Sequence, residues 1–163
     1  MTPLTTPLRL DDSVVELLSS GVVIYVATRD AQNTPALASA MGVQVGPDRT
    51  TVTVYLPQAS AAETLNNLKA NGLFAGTFCR PSDDKTVQLK GVLQSVRDSE
   101  NADQALQENY RGALVEQFAI VGVPRSLAKR LHWWPSVAVT VSVREVYTQT
   151  PGPHAGRQWG QGQ

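Results

Sequence analysis

The sequence predicts a mainly β fold, in which six antiparallel strands form a small barrel and several helices lie at its periphery. Apolar residues alternate with small or polar residues along much of the chain, which is typical of strands that bury one face. Turn-forming residues separate these segments at short intervals, as in a meander. Closing the meander into a barrel removes the exposed edges that it would otherwise leave. The predicted strands span residues 22–29, 36–45, 51–56, 73–80, 87–98 and 136–147.

The first three strands and the last one have the clearest local signals. Residues 22–29, VVIYVATR, are rich in β-branched side chains and too short for a typical helix. Residues 36–45, ALASAMGVQV, alternate small or polar with apolar side chains, and the turn GPDRT leads into 51–56, TVTVYL. The last strand, SVAVTVSVREVY, places alternate residues on one face. We expect this face to carry Val137, Val139, Val141 and Val143, with Glu145 as a further candidate.

Helices are predicted at four places, one of which follows directly on a strand. In YLPQASAAETLNNLKANG, residues 55–72, Ser60 can cap the helix, Glu63 can complete a capping box, and Asn71-Gly72 supply a left-handed stop. A helix start just after a strand also often holds a phosphate, so Ser60, Gln58 and free backbone amides could donate to one instead. The other predicted helices span 13–20, capped by Asp11 or Asp12 and closed by Gly21, then 100–118 and 124–131.

Length and composition predict one globular domain, residues 1–148, followed by a tail, 149–163, that is rich in Gly, Pro and Gln. The formal net charge is zero and the pI is about 6.7, so we expect neither nucleic acid nor a membrane as a partner. Cys79 is the only cysteine, which excludes an intrachain disulfide and favours a cytoplasmic setting. The N-terminus shows no signal-peptide pattern, and the apolar run 22–27 is far too short to span a bilayer.

The order of several segments resembles the pyridoxamine 5'-phosphate oxidase-like family. The segments are LLSSG, VVIYVATRDAQNTPALAS, TVTVYLPQ, ETLNNLKANGLFAGTF and VQLKGVL, and together they cover about residues 13–97, with the final strand also in place. The resemblance implies an FMN-binding split barrel, usually a homodimer with the flavin at the subunit interface. It also implies an FMN-dependent oxidoreductase, whose redox chemistry the flavin itself supplies.

One part of the family pattern is missing. In flavin-binding members, basic residues on the second strand and at the start of the first crossover helix hold the phosphate. Those positions fall near Ala38 and Val43, and near Ala62, Glu63 and Thr64, none of which is basic. A buried phosphate without a cation is unfavourable. The alternative functions are therefore a non-catalytic split-barrel dimer, or a binder of another planar cofactor such as haem or a deazaflavin.

The resemblance and the local pattern together nominate a cofactor site but no catalytic residue. Cations from outside the usual positions, such as Arg80, Lys85 or Lys90, could replace the missing clamp, although a strand lysine such as Lys90 is more commonly solvated. Two distant histidines and one cysteine give no basis for a metal site. The nominated cofactor-binding residues are Ser39, Ala40, Met41, Leu56, Pro57, Gln58, Ser60, Thr64, Thr86, Gln88 and Lys90.

The tail adds Arg157 and Trp159 to this set. Pro151 and Pro153 restrict the backbone and lower the entropy lost on docking, and Trp159 offers a large apolar face with one donor. We expect the tail to pack across the dimer partner, with Trp159 close to the cofactor. Truncation after Thr150 should then weaken ligand binding or the dimer by at least about 1 kcal/mol. A disordered polar terminus is the alternative.

Overall fold

The computed structural model describes residues 6–159 and contains one antiparallel sheet with helices packed against it. The strands in this part of the chain are β1 (Val23–Arg29), β2 (Pro35–Ala40), β3 (Val43–Val45), β4 (Thr51–Pro57), β5 (Leu73–Cys79), β6 (Thr86–Asp98) and β7 (Ser136–Thr148). The helices are α1 (Asp12–Leu18), α2 (Ala62–Asn71), α3 (Asn101–Ile120) and α4 (Arg125–Ala128), and a 3₁₀ turn covers Gln58–Ser60.

The sheet has seven strands in the order β2-β1-β5-β6-β7-β4-β3, so the prediction of six strands is wrong. The difference arises at Gly42, whose φ of 151° breaks the predicted strand 36–45 into β2 and β3. β2 pairs with β1, whereas β3 pairs with β4. The hydrogen-bonded order is therefore open, in place of the predicted closed barrel, and it ends at two strands that are consecutive in the chain. Met41 and Gly42 hold this break in position, because Met41 N donates to Tyr55 O (2.7 Å) and Tyr55 N donates to Gly42 O (3.1 Å).

The core lies on the inward face of the sheet. As predicted, Val137, Val139, Val141 and Val143 of β7 are buried together. Glu145 does not join them: the pairing of β6 with β7 shifts register between Lys90 and Gly91, and Val146 takes the next inward position instead. The bulge adds one residue to β7, which reverses the faces of the residues that follow it.

The helix ends confirm two of the expected caps and contradict a third. The Asp11 carboxylate accepts from Val14 N (2.9 Å) at the start of α1, and Gly72 ends α2 with φ of 72°. The predicted capping box of Ser60 and Glu63 is wrong. After Pro57 the chain makes the 3₁₀ turn, so that α2 begins at Ala62 with no side-chain cap, and Ser60 Oγ is directed back to Pro57 O (3.5 Å).

Buried polar side chains fix α3 to the sheet. The Asp103 carboxylate accepts from Tyr55 Oη (2.9 Å) and from both terminal nitrogens of Arg97 (2.6 and 3.0 Å). Gln107, which is fully buried, donates from Nε2 to Met41 O (2.9 Å) and accepts from Ser136 Oγ (2.7 Å). One turn of α3 therefore holds the β2–β3 break, the end of β6 and the start of β7 in place.

The close approach of β6 and β7 at Gly91 gives a stability prediction. A glycine inside a strand often marks a bulge or the close approach of another backbone, and both occur at Gly91. A Cβ at Gly91 would lie 2.4 Å from Ser142 O, a backbone atom that cannot swing away. Gly91→Ala is expected to lower the free energy of unfolding by about 2 to 3 kcal/mol, as measured by chemical denaturation.

Gly112→Ala is the matched control. A Cβ at Gly112 would have no atom within 4 Å, and the residue lies inside α3. Because alanine favours a helix interior over glycine, this variant should gain up to about 1 kcal/mol. Equal stability losses in the two variants would contradict the assignment of the Gly91 effect to the strand contact.

Candidate outward-face site

The outer side of the sheet carries two transverse rows of side chains that run across β2, β1, β5, β6 and β7. Directly paired residues on neighbouring antiparallel strands point to the same side, and neighbouring strands are about 4.8 Å apart. Each row is therefore about 19 Å long. The first row is Leu37, Ala27, Ala75, Lys90 and Glu145, and the second is Ser39, Tyr25, Thr77, Gln88 and Tyr147. We call this surface the outward face.

The outward face is apolar and exposed on β2, β1 and β5. Tyr25, Leu37 and Leu73 are 46%, 67% and 42% exposed, although large hydrophobic side chains are usually buried. Ala27 and Ala75 lie directly beside one another in the first row, and because their side chains are short, nothing protrudes from the surface next to Tyr25. An exposed apolar surface with polar edges is typical of an interface or a ligand-binding surface.

The edge of the outward face on β6 and β7 is charged. The Lys90 ammonium lies 4.7 Å from the centre of the Tyr147 ring, and Lys90 is paired across the strands with Glu145. Tyr147 Oη donates to the Glu145 carboxylate, and this hydrogen bond raises the pKa of Tyr147 above its usual value. Lys90 is therefore a positioned cation whose charge the Glu145 carboxylate partly offsets.

The structure divides the nominated cofactor residues into separate groups. Ser39, Gln88 and Lys90 lie together on the outward face. Thr86 begins β6, the strand that carries Gln88 and Lys90, but its N–H donates to Thr150 Oγ1 (3.0 Å) and its side chain is buried. The tail residues that follow β7 therefore cover this position.

A second group of nominated residues lies where β4 leads into α2, and it consists of Pro57, Gln58, Ser60 and Thr64. Pro57 is paired with Ser136 at the start of β7, and Gln58 N donates to Pro135 O (3.0 Å). Tyr147, on the outward face, lies near the other end of β7. Ser60 is exposed, whereas Thr64 is buried on the inner side of α2. With no side-chain cap, the first amides of α2 are not taken by Ser60 or Glu63.

Three nominated residues have side chains in the core. Ala40 and Leu56 are almost completely buried, and Met41 is 6% exposed. All three belong to the main hydrophobic cluster, so a ligand on the outward face cannot reach their side chains. Ser39 remains accessible although its neighbours Ala38 and Ala40 point inward, because side chains alternate along β2.

The described part of the tail pairs with its own chain. Tyr147 forms a β-bridge with Gln158, and Trp159 N donates to Val146 O (2.7 Å). The Trp159 indole donates to the Asp11 carboxylate (2.5 Å), and its ring packs against the main core. Arg157 is exposed, and its carbonyl accepts from Thr148 N (3.0 Å). Trp159 is thus directed to α1 of its own chain, and packing of the tail across a partner stays a prediction.

Sequence reasoning missed Tyr25, Leu37 and Leu73, which form the apolar part of the outward face. The signal was present in VVIYVATR, where Tyr25 lies between Ile24 and Val26 and must therefore point away from the core. In the same way, Leu37 lies between two small inward residues. The alternation within each strand predicted these directions, but only the register shows that Tyr25 and Leu37 lie on adjoining strands of one surface.

Within residues 6–159, no three His, Cys, Asp or Glu side chains are grouped so that they could hold a metal ion. None of the helices in that range combines the length and apolarity that a bilayer span requires.

Comparison with known proteins gives a family and a fold. The sequence profile of the pyridoxamine 5'-phosphate oxidase family matches residues 10–146. No curated protein matches the chain. A candidate pyridoxamine 5'-phosphate oxidase from Lactobacillus delbrueckii is 15% identical, with a TM-score of 0.55 over 90% of this chain and 99% of that one.

Two further solved structures are similar at the level of fold. HupZ from Group A Streptococcus is 17% identical, with a TM-score of 0.53 over 90% of this chain and 100% of that one. An F420 reductase is 14% identical, with a TM-score of 0.54 over 84% of this chain and 98% of that one. At these identities the structures support a shared fold alone, whereas the profile spans most of the sequence. The chain therefore belongs to the pyridoxamine 5'-phosphate oxidase family.

Proposed function

We propose that this chain forms a homodimer that binds a flavin-type cofactor, FMN in the first place, against the outward face. The observation that carries the proposal is the pair of transverse rows, which combine exposed apolar side chains with a polar and cationic edge on one surface. A planar ring system needs such a low apolar surface with a few convergent polar groups. Membership of the family supports the same ligand class.

The outward face fits the ring of a flavin. Tyr25 offers an aromatic surface, and Ala27 and Ala75 leave space beside it. Thr77 and Gln88, paired in the second row, could donate to or accept from the polar edge of the ring. A bound flavin would supply hydride or electron transfer, and the protein would orient it, so an oxidoreductase needs no acid–base triad here.

The phosphate requires donors and a cation, which lie in different places in one chain. The uncapped start of α2 offers backbone N–H groups, and Lys90 on the outward face offers a positive charge. We infer that a two-fold dimer brings the α2 start of one subunit to the outward face of the other. A ligand at the interface could then use both, and Lys90 would replace the missing basic clamp.

Changing the charge at the edge of the outward face tests this arrangement. Lys90→Glu is expected to weaken FMN binding by at least about tenfold, because it removes the cation and adds a second carboxylate beside Glu145. Glu145→Gln should strengthen binding, since it removes the charge that offsets Lys90. Binding is measured by fluorescence titration of FMN into the apoprotein.

Lys69→Glu is the control for net charge, because Lys69 is exposed in the last turn of α2 and lies outside both groups. It should leave the affinity for FMN nearly unchanged. Equal affinities for the Lys90 and Lys69 variants would remove Lys90 from the site.

A deazaflavin is the second candidate. The similarity of fold to an F420 reductase supports it, as does the absence of basic residues at the family's usual phosphate positions. Parallel titrations with FMN, F420 and haem separate the candidates through their distinct absorption bands. Uptake of FMN or F420 supports a flavin-type site, whereas uptake of haem alone, or of none of the three, overturns the proposal.

A further inference from the structure

A second exposed apolar surface lies far along the chain from the outward face. Of the seven large hydrophobic side chains that are exposed within residues 6–159, three belong to the outward face. The other four lie at the end of α3 and around α4. They are Ile120, Val121, Leu127 and Leu131, which are 67%, 50%, 55% and 41% exposed. We call this region the α3–α4 surface.

The α3–α4 surface is locally cationic, although the whole chain has a net charge of zero. No Asp or Glu occurs from residue 117 to residue 144, a stretch that includes Arg125, Lys129 and Arg130. Arg125 forms an ion pair with Glu116 of α3 (2.6 Å). Lys129 and Arg130 are exposed; Lys129 lies close enough to Glu116 to act on its carboxylate, whereas Arg130 forms no ion pair within the described part of the chain. Four cations, Arg111, Arg125, Lys129 and Arg130, thus outnumber the two nearby acids, Glu108 and Glu116, beside Leu127 and Leu131.

Contacts within the chain fix the conformation of the α3–α4 surface. Besides the Arg125–Glu116 pair, Arg111 donates to Lys129 O (2.9 Å), and its guanidinium lies 4.8 Å from the centre of the Trp133 ring. The turn after α3 is closed by hydrogen bonds from Val121 N and Val123 N to Phe118 O (3.2 and 2.9 Å). The aliphatic side chains and cations are thus presented together, with little ordering entropy left to lose on docking.

We propose that the α3–α4 surface docks the protein on an anionic lipid bilayer. Exposed aliphatic side chains at a helix end and turn can enter the acyl boundary, while neighbouring lysine and arginine side chains contact the anionic headgroups. The partially exposed Trp133 and Trp134 lie in the same stretch, and tryptophan favours the membrane–water interface. The zero net charge of the whole chain, from which no membrane partner was expected, does not describe this local surface.

The charge of the α3–α4 surface favours a lipid bilayer over a second copy of the chain as the docking partner. A two-fold contact between two α3–α4 surfaces would bring the excess positive charge of both subunits together, because the nearby Glu116 is already paired with Arg125. The exposed aliphatic residues also occupy a turn and a helix end, and a bilayer accepts such protruding side chains without matching their shape. A lipid surface therefore fits better than an acidic protein.

Co-sedimentation of the full chain with vesicles tests the proposal. Vesicles of phosphatidylglycerol and phosphatidylcholine in equal parts should bind the protein, pure phosphatidylcholine vesicles should bind it at least about tenfold more weakly, and added salt should weaken the binding. Lys129→Glu/Arg130→Glu should reduce partitioning to the anionic vesicles by at least about tenfold. Leu127→Ser/Leu131→Ser should reduce it at unchanged charge.

Arg29→Glu/Lys69→Glu is the control, because it makes the same change of net charge at exposed positions away from α3 and α4. This variant should partition like the unaltered protein. The proposal is overturned if anionic vesicles do not bind the protein at low salt, as for a surface that serves an acidic protein instead, or if the two charge variants bind equally. Circular dichroism of each variant confirms that a loss of binding is not a loss of fold.

Discussion

Replacing Asp103 with alanine is expected to lower the free energy of unfolding by about 3 kcal/mol. The Asp103 carboxylate is 7% exposed and accepts from Arg97, from Tyr55 and from the backbone N–H of Glu100 (2.7 Å). Its removal leaves the buried Tyr55 hydroxyl without its short partner and the Arg97 guanidinium without its carboxylate. Breaking such a buried pair costs about 3 to 5 kcal/mol, and the lower end applies because half of the Arg97 side chain is exposed.

The same contacts make this contribution depend on pH. The hydrogen bonds from Arg97, followed by those from Glu100 N and Tyr55, outweigh the effect of burial and lower the pKa of Asp103 from 3.8 to about 2. Because the pKa is lowered by folding, the stabilisation is complete above pH 4 and is lost as the pH falls towards 2. The difference in stability between the unaltered protein and Asp103→Ala should therefore shrink over that interval.

Urea denaturation at several pH values measures both effects. Glu108→Gln is the control, because Glu108 is an exposed acid on the same helix, and its loss should change stability by no more than about 0.5 kcal/mol. A stability gap for Asp103→Ala that stays constant from pH 5 to pH 2.5 would contradict the role assigned to the carboxylate.

The elements of the fold were predictable where one strand or helix carries its own signal. The alternation in SVAVTVSV predicted the inward valines of β7, and Asn71-Gly72 predicted the end of α2, because each pattern is local. The break of β2 from β3 depends on hydrogen bonds of Met41 and Gly42 with Tyr55, which is distant in sequence. The position of Glu145 likewise depends on a register shift between two strands. No local pattern contains such information.

The candidate site was predicted in part for the same reason. The resemblance and the local pattern nominate Ser39, Gln88 and Lys90, and the register places all three on one surface. The same resemblance nominates Leu56 and Ala40, although their side chains point inward. The resemblance indicates which strands to consider, but the face on which each residue lies is fixed by alternation within its strand. The start of α2 lacked its expected cap because the 3₁₀ turn displaced it.

Leu37→Asp is expected to convert the proposed homodimer into a monomer. Leu37 is 67% exposed on β2, directly beside Ala27 in the first row of the outward face, and its side chain would lie within the proposed interface. In a two-fold dimer the substitution occurs twice, so two carboxylates lose water in one apolar contact. We expect dimerisation to weaken by about 4 kcal/mol, or roughly 1,000-fold in the dissociation constant.

The mass in solution, measured by analytical ultracentrifugation over a range of micromolar concentrations, tests this prediction. Leu127→Asp provides the matched control: Leu127 is 55% exposed, but it belongs to the α3–α4 surface, so its variant should remain a dimer. Because the proposed flavin site is shared between subunits, Leu37→Asp should also lose FMN binding, and Leu127→Asp should keep it. A Leu37→Asp protein that is still dimeric would show that the dimer interface does not include the outward face around Leu37. A monomeric mass for the unaltered protein would contradict the proposed dimer. The outward face would then lack the N–H groups at the start of the partner's α2 that the proposed phosphate site requires.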